Sequence, residues 1–326
     1  IAGRTYTGKE IKPAVTVKYG GKTLVSGKDY TVSYSNNVKV GTAKATVTGI
    51  GNYSGSVEKT FIISPMKQTI TAAESACKGI KLSWPEDEAA TGYEVQYSPN
   101  SGFAGSMSKK VSGTASTTIT GLTGGKTYYV KVRSLAEVGG KTYAGAWSNV
   151  VSVKAAKYDI TKAKVSGIAD KVYNGKNQTQ KIKVTYNGKT LKSGTDYTLK
   201  YASRKNVGTA TVKIVGAGDY AGTIKKTFKI NPEKQKVEKL IAKSKGFTVK
   251  WAKTAYAAGF EIQYAENAKF RRAKKVTVSD GTSVKKSVTK LRSAKKYYVR
   301  VRTYTTVSGK KYYGAWSAAK SVTTKK

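Results

Sequence analysis

Apolar and polar residues alternate with a period of two through most of this chain. Val15, Val17 and Tyr19 alternate with polar neighbours, as do Tyr30, Val32 and Tyr34, then Ala43, Ala45 and Val47, then Phe61 and Ile63. Farther on the same rhythm returns in Ile80, Leu82 and Trp84, in Tyr93, Val95 and Tyr97, and in Tyr128, Val130 and Val132. A period of two sends successive side chains to opposite faces, so each run predicts a half-buried β-strand. Glycine clusters such as Gly20-Gly21 and Gly49-Ile50-Gly51 fall between runs and predict turns. No segment sustains a period of 3.6, which predicts little helix.

The pattern occurs twice. Gly27-Lys28-Asp29-Tyr30 returns as Gly194-Thr195-Asp196-Tyr197, Trp84 as Trp251, and Gly145-Ala146-Trp147 as Gly314-Ala315-Trp316. A repeat this long predicts a duplicated pair of domains rather than a solenoid. The expected architecture is all-β, in four modules: 1–65, 66–156, 157–232 and 233–326. Modules 66–156 and 233–326 are expected to be two-sheet sandwiches, with Trp84, Leu122, Tyr128, Trp251, Leu291 and Tyr297 in their cores. Tandem modules of this size are expected to fold independently. Ile1 aligns with Ile168, so the first copy is expected to lack the leading strand that residues 160–167 supply in the second.

In the two sandwich modules a tryptophan ends the second strand. Gly92-Tyr93 or Gly259-Phe260 opens the third, and Leu122 and Leu291 precede Tyr128 and Tyr297 by the same six positions. These residues resemble the fibronectin type III family, and the Leu-to-Tyr spacing is that family's tyrosine corner, in which a phenol hydroxyl caps a strand crossover. The other two modules share Tyr-x-Gly, Gly-x-Asp-Tyr, Gly-x-Gly-x-Tyr-x-Gly and Phe-x-Ile. They resemble repeats of bacterial surface proteins, of Ig-like or β-grasp-like fold, which alternate with fibronectin-type modules in exported proteins of gut Firmicutes. The resemblance implies a Gram-positive, secreted, cell-surface or wall-associated location and no catalysis. It implies an adhesive display rod that binds host molecules or an anionic cell-wall polymer. Its alternatives are an immunoglobulin-binding or other host-protein-binding surface protein, and the accessory stalk of an extracellular carbohydrate-active enzyme. Partners are then a host glycan, a host protein such as immunoglobulin, or wall polymer, and the chain is expected to be monomeric.

Charge alters this picture. The 326 residues carry a formal net charge of +42, with no histidine and a single cysteine, Cys77. Modules 66–156 and 233–326 share one pattern, yet the first holds 10 Lys and Arg against 6 Asp and Glu and the second 25 against 5. One scaffold thus tolerates either balance, and the surplus near the end needs a separate reason. A hydrated lysine coat that keeps strand edges apart is one; attraction to polyanions, nucleic acid included, is the other. The densest run, Lys269-Phe270-Arg271-Arg272-Ala273-Lys274-Lys275, makes Arg271, Arg272, Lys274 and Lys275 the candidate polyanion site. Phe270 matches Phe103 in the less basic copy and is read as a packing anchor. Tyr312-Tyr313 is placed in the last loop as an accompanying aromatic.

Other chemistry is weakly signalled. Gly49 to Gly55 is similar in outline to a phosphate-binding loop, but a strand follows where a helix is required, so a tight hairpin is expected. Glu86-Asp87-Glu88 is read as a solvated loop without metal, since its spacing fits no calcium loop and the duplicate reads Lys253-Thr254-Ala255. Cys77 has no histidine to activate it and is read as a small core or boundary residue. No catalytic residues, metal ligands or cofactors are expected. Glu94 is expected to pair across strands with Lys131 or Arg133, and Glu261 with Arg300 or Arg302. No apolar run reaches the roughly 20 residues that a membrane-crossing helix needs.

Overall fold

The computed structural model describes residues 1–326 and is almost entirely strand, as the alternation predicts. One 3-10 turn, Ile160–Lys162, is the sole helical element, and no helix is long and apolar enough to cross a membrane. The chain divides into two compact units, Ile1–Tyr158 and Asp159–Lys326.

The first unit opens with a four-stranded sheet in the order Arg4–Thr5, Ser56–Ser64, Gly41–Gly49, Tyr30–Ser35. The edge strand Arg4–Thr5 runs parallel to its neighbour and the others are antiparallel. Ala43, Ala45, Phe61 and Ile63 face one way and join Ile11 in a small core. A separate hairpin, Lys18–Tyr19 with Lys22–Thr23, flanks this sheet. The Gly49–Gly55 segment is the tight hairpin that its glycines predict. Gly49 N–H donates to Gly55 O at 2.9 Å, and Tyr53 N–H to Ile50 O at 3.2 Å.

The rest of the unit is a sandwich. One sheet orders Ser116–Ile119, Gly79–Ser83, Ala72–Ala76; the other orders Met107–Ser112, Gly92–Ser98, Thr127–Val138, Lys141–Ala144, with Val151–Lys154 also on Thr127–Val138. Ile80, Leu82, Trp84, Tyr93, Val95, Leu122, Tyr128, Val130 and Val132 are buried between them. Tyr128 Oη accepts the Thr123 N–H at 3.1 Å, closing the crossover beside Leu122. The second unit repeats both parts. Trp251 is 1% exposed and Tyr297 5%, and Tyr297 Oη accepts the Arg292 N–H at 3.3 Å. Leu291 is only half-buried and packs against this core from its rim.

Within each unit the two parts share a buried seam, which departs from the expectation of independent beads. Val40 of the first part packs with Ala136 and Tyr143 of the sandwich, and Thr42 Oγ1 lies 2.9 Å from Tyr143 Oη. The second unit reproduces the contact as Thr209 Oγ1 to Tyr312 Oη at 2.7 Å. Tyr312 and Tyr313 are therefore not loop aromatics. They close the strand Lys310–Tyr313, with Tyr312 buried in the seam. The seam arises because Thr127–Val138 and Lys296–Val307 are 12 residues long. Their far ends carry a hairpin out beyond the sandwich to meet the neighbouring sheet.

Three further expectations change. Residues 160–167 form the 3-10 turn and only a three-residue strand, Lys164–Ser166, because the Asp159 side chain caps the turn through the Thr161 N–H at 3.0 Å. Asp87 is not solvated but 4% exposed. Its carboxylate accepts the Met66 and Ala89 N–H groups, each at 3.0 Å, which satisfies its charge at the joint between the two parts. Cys77 is exposed in the turn between Ala72–Ala76 and Gly79–Ser83, since a two-residue hairpin turn has no buried side.

Candidate functional site

The long central strands set up the site. Lys131 and Arg133 occur two residues apart on Thr127–Val138 and so share its outer face; Arg300 and Arg302 do the same on Lys296–Val307. Trp147 and Trp316 lie over these cations. Gly145 and Gly314 let the segment ahead of each tryptophan pack against the chain that enters the sandwich: a Cβ at Gly145 would lie 2.7 Å from Met66 O, and at Gly314 2.5 Å from Glu233 O. Ser148 and Ser317 then lock the segment, each Oγ accepting a central-strand N–H (Val132, Val301) at 3.0 Å.

The result is a ladder of alternating rings and cations. In the first unit Lys131 Nζ sits 4.2 Å from the Phe103 ring centre and 4.8 Å from Trp147, and the Arg133 guanidinium 4.4 Å from Trp147. In the second, Arg300 lies 4.1 Å from Phe270 and 4.8 Å from Trp316. Arg302 lies 4.4 Å from Trp316 and 4.1 Å from Tyr313. Each such contact contributes about 0.5–2 kcal/mol depending on desolvation. Burial, with Arg302 alongside, pulls the Arg300 guanidinium below its ordinary pKa. Cross-strand partners complete the ladder. Arg133 Nη2 meets Glu94 Oε2 at 2.6 Å, Arg302 Nη2 meets Glu261 Oε2 at 2.6 Å, and Arg300 Nε donates to Gln263 Oε1 at 2.7 Å. The pairing choice is decided by register, which sets Glu94 opposite Arg133 and Glu261 opposite Arg302. Four cations, Lys131, Arg133, Arg300 and Arg302, thus have ring or cross-strand partners within the framework. Phe270 is the end rung of the ladder.

Of the remaining cations of the second sandwich, several converge away from the ladder. The loop from Glu266 to Ala273 is pinned by Asn267, whose Oδ1 accepts the Arg271 N–H at 3.0 Å and whose Nδ2 donates to Arg271 O at 2.9 Å. Arg272 holds φ at 52°, where the first unit has Gly105 at 62°. A non-glycine residue there is strained by about 1 kcal/mol. This loop, with Lys290, Leu291 and Arg292 opposite it, encloses a groove of about 520 Å³ floored by Tyr264 and Tyr297. Burial, then the neighbouring Tyr297, pushes the Tyr264 phenol above its ordinary pKa.

Five cations line this groove: Arg271, Arg272, Lys274, Lys290 and Arg292. The lone lining carboxylate, Glu266, is shared: Arg292 Nη1 lies 3.7 Å and Lys295 Nζ 3.6 Å from its oxygens. In the first unit the five equivalent positions are Ala104, Gly105, Met107, Gly121 and Thr123, all uncharged. Of the four candidates from sequence, Arg271, Arg272 and Lys274 come together here. Lys275 does not. On the strand Lys274–Val278 it stands opposite Gln263 while Lys274 stands opposite Tyr264. Its Nζ therefore approaches Glu261 Oε1, at 4.0 Å, on the ladder face. Lys290 and Arg292 escaped the sequence reading. They lie in the loop between Lys285–Val288 and Lys296–Val307, where no alternation marks which way a side chain points.

Comparison with known proteins bears on this framework. Residues 64–154 match the fibronectin type III domain family. The chain therefore carries a fibronectin type III domain. The second sandwich, with its matching sheet order from Val237 to Thr323, repeats that domain's strand pairing. A Kelch domain-containing protein of Saccharolobus solfataricus is 30% identical over 146 residues, which is 43% of this chain. The chain spans about a fifth of that relative's length. The crystal structure of the FN1–FN3 domains of chicken CNTN1 aligns with 80% of this chain and 99% of its own at 15% identity and a TM-score of 0.26.

Proposed function

We propose that this chain is a non-enzymatic binding segment of an exported surface protein of a Gram-positive bacterium, built as two copies of a repeat-plus-fibronectin-type pair along the four modules read from the sequence. In this reading the first unit is mainly a spacer, and the second captures a sulfated or phosphorylated polymer, such as a host glycan or wall polymer, through the five-cation groove. One observation carries the reading: the same scaffold exists twice in one chain, and only the second copy has cations at all five groove positions. A solubilising coat would spread its charge over the surface. Here five changes surround one concavity, two of them, Arg272 and Lys290, at a strained φ that glycine holds in the first unit. A partly enclosed groove also focuses the field, which strengthens attraction to a polyanion beyond that of scattered lysines.

The test titrates the full chain with a sulfated oligosaccharide at low and raised salt. The triple variant Arg271→Glu, Arg272→Glu, Lys274→Glu should lose at least about tenfold in affinity, about 1.4 kcal/mol, with a flatter salt dependence. A control variant, Lys285→Glu, Lys286→Glu, Lys320→Glu, changes net charge equally away from the groove and should bind nearly as the parent does. Equal losses in both would reduce the surface to a general coat. Binding of a host protein such as immunoglobulin that survives raised salt would instead favour a complementary protein interface. Turnover of a glycan or peptide by the purified chain would overturn the non-enzymatic reading.

A further inference from the structure

The sheet of the second repeat buries one face and turns the other to water. Its strands run in the order Lys171–Val172, Thr223–Asn231, Gly208–Gly216, Tyr197–Ala202. Ala210, Val212 and Ile214 are buried, so Thr211 and Lys213 on the same strand point the other way. Register sets Lys200 opposite Lys213, and Lys213 opposite Lys225. Three exposed lysines thus stand in one row across three neighbouring strands, which lie about 4.8 Å apart. Hydroxyls flank the row: Thr211 opposite Thr227 on one side, and Thr198 and Thr223 on the other, each opposite Val215. Lys229 adds a fourth exposed cation farther along Thr223–Asn231.

Such a row costs the sheet stability, since like charges directly opposite each other repel. No carboxylate relieves it. Asp159, Asp170, Asp196 and Asp219, the acids of residues 157–232, all lie outside these three strands. Lys200, Lys213 and Lys225 make no ion pair. The first repeat builds the same sheet without the row. Ser33, Thr46 and Glu58 occupy the three positions in the same register, and Glu58 Oε2 takes up Lys44 Nζ at 3.1 Å. The scaffold therefore does not need the lysines. Nor do Lys213 and Lys225 guard a strand edge, where lysine blunts pairing with other chains, because both stand on inner strands.

We propose that this face is a second polyanion contact, for a linear polymer with a phosphate or sulfate ester on each repeat, lying across the strands along Lys200, Lys213 and Lys225. The outward positions hold no ring on which a base or a sugar could stack, so the face reads the spacing of charge rather than shape. Lysine suits that use, as a point charge on a flexible stem. Bound anions relieve the repulsion along the row, so the polymer restores stability that the empty sheet gives up. Threonine hydroxyls beside the row donate to the remaining anion oxygens. The contact does not rest on the groove of the second sandwich, and each can be disabled alone.

The test starts from the full chain with the groove disabled by Arg271→Glu, Arg272→Glu, Lys274→Glu, so that failure of the groove reading leaves it intact. Inorganic polyphosphate and a sulfated oligosaccharide are titrated at low salt. Adding Lys200→Ser, Lys213→Thr, Lys225→Glu, which installs the residues of the first repeat, should weaken binding at least about tenfold. Adding Lys285→Glu, Lys286→Glu instead, an equal change in net charge on the sandwich, should weaken it less than about threefold. Tighter binding of polyphosphate would assign the face to a phosphorylated polymer, and tighter binding of the oligosaccharide to a sulfated one. Thermal unfolding is the second measurement. Without polymer, the chain lacking the row should melt above the chain that keeps it at low salt, and the gap should close as salt screens the row. Polymer should raise the melting temperature more where the row is present. Equal losses in the two variants overturn the proposal, as does failure of both polymers to bind or binding to anionic vesicles alone. So does a lower melting temperature at low salt in the chain lacking the row.

Discussion

Trp251→Phe should cost far less than Trp251→Ala, and the reason lies in one nitrogen. Trp251 is 1% exposed and packs 5.0 Å from the Phe260 ring centre, yet its indole Nε1 is buried without a hydrogen-bond partner. Truncation to alanine removes the whole ring and leaves a cavity between the sheets, a loss of about 3–5 kcal/mol. Phenylalanine keeps one ring. It gives up roughly 50 Å² of apolar burial, about 1.3 kcal/mol at ~25 cal/mol per Å². It also deletes the orphaned N–H, whose desolvation costs about 1–3 kcal/mol. The two changes nearly cancel, so Trp251→Phe should fall within about 1 kcal/mol of the parent. Urea unfolding followed by far-UV circular dichroism separates the outcomes, since it needs no tryptophan signal. Trp84, whose Nε1 is likewise unpartnered, supplies a replicate in the first unit. If Trp251→Phe proves as damaging as Trp251→Ala, the indole edge is held by packing or by a partner that outweighs the orphan, and the argument fails. Loss of the first unit's transition in Trp251→Ala would also contradict the division into two compact units.

Glu261→Gln should destabilise the second sandwich by about 1–3 kcal/mol in thermal or urea unfolding, because Arg302 donates to it from both Nε and Nη2. Glu94→Gln should cost less, since the Glu94–Arg133 pair is more exposed, at 17% and 30% for the side chains against 10% and 22%. Tyr312→Phe removes the hydroxyl bonded to Thr209 and should cost about 0.5–1.5 kcal/mol. A loss that leaves the slope of the urea transition unchanged would show that both parts of the unit still unfold together. Asp280 should titrate at about 2, held down first by the Thr282 hydroxyl, then by Ser283 and the Thr282 N–H. A depressed carboxylate contributes stability above its unfolded pKa, and that contribution fades as pH falls from about 4 toward 2. Carboxyl NMR titration of Thr282→Ala, Ser283→Ala should show the pKa return toward the ordinary aspartate value.

Much of the fold was legible because burial writes a periodic signal into the chain. A strand packed on one face must place apolar side chains at every second position. The faces holding Val95, Val130, Ile262 and Val299 could therefore be read directly, and the tyrosine corner at Tyr128 was implied by the resemblance to the fibronectin type III family that the six-residue step from Leu122 helps to carry. The duplication added register: a turn that recurs, such as Gly49–Gly55 and Gly216–Gly222, had to be structural. The candidate groove was only half legible. Arg271, Arg272 and Lys274 stood out as a run, but exposed charges carry no period, and Lys290 and Arg292 join them only because the tyrosine corner folds its loop against theirs. Lys275 shared that run and was lost from the site, because strand alternation sends it to the ladder face. Trp147 and Trp316 were visible as a repeated motif, but their role depends on cations from another strand. The seam at Tyr143 and Tyr312 and the burial of Asp87 also arise from contacts between segments far apart in the chain. The sequence by itself determined which residues lie in strands and which faces they bury, since that information is local. The tertiary structure alone decided which cations serve the framework and which converge on a groove.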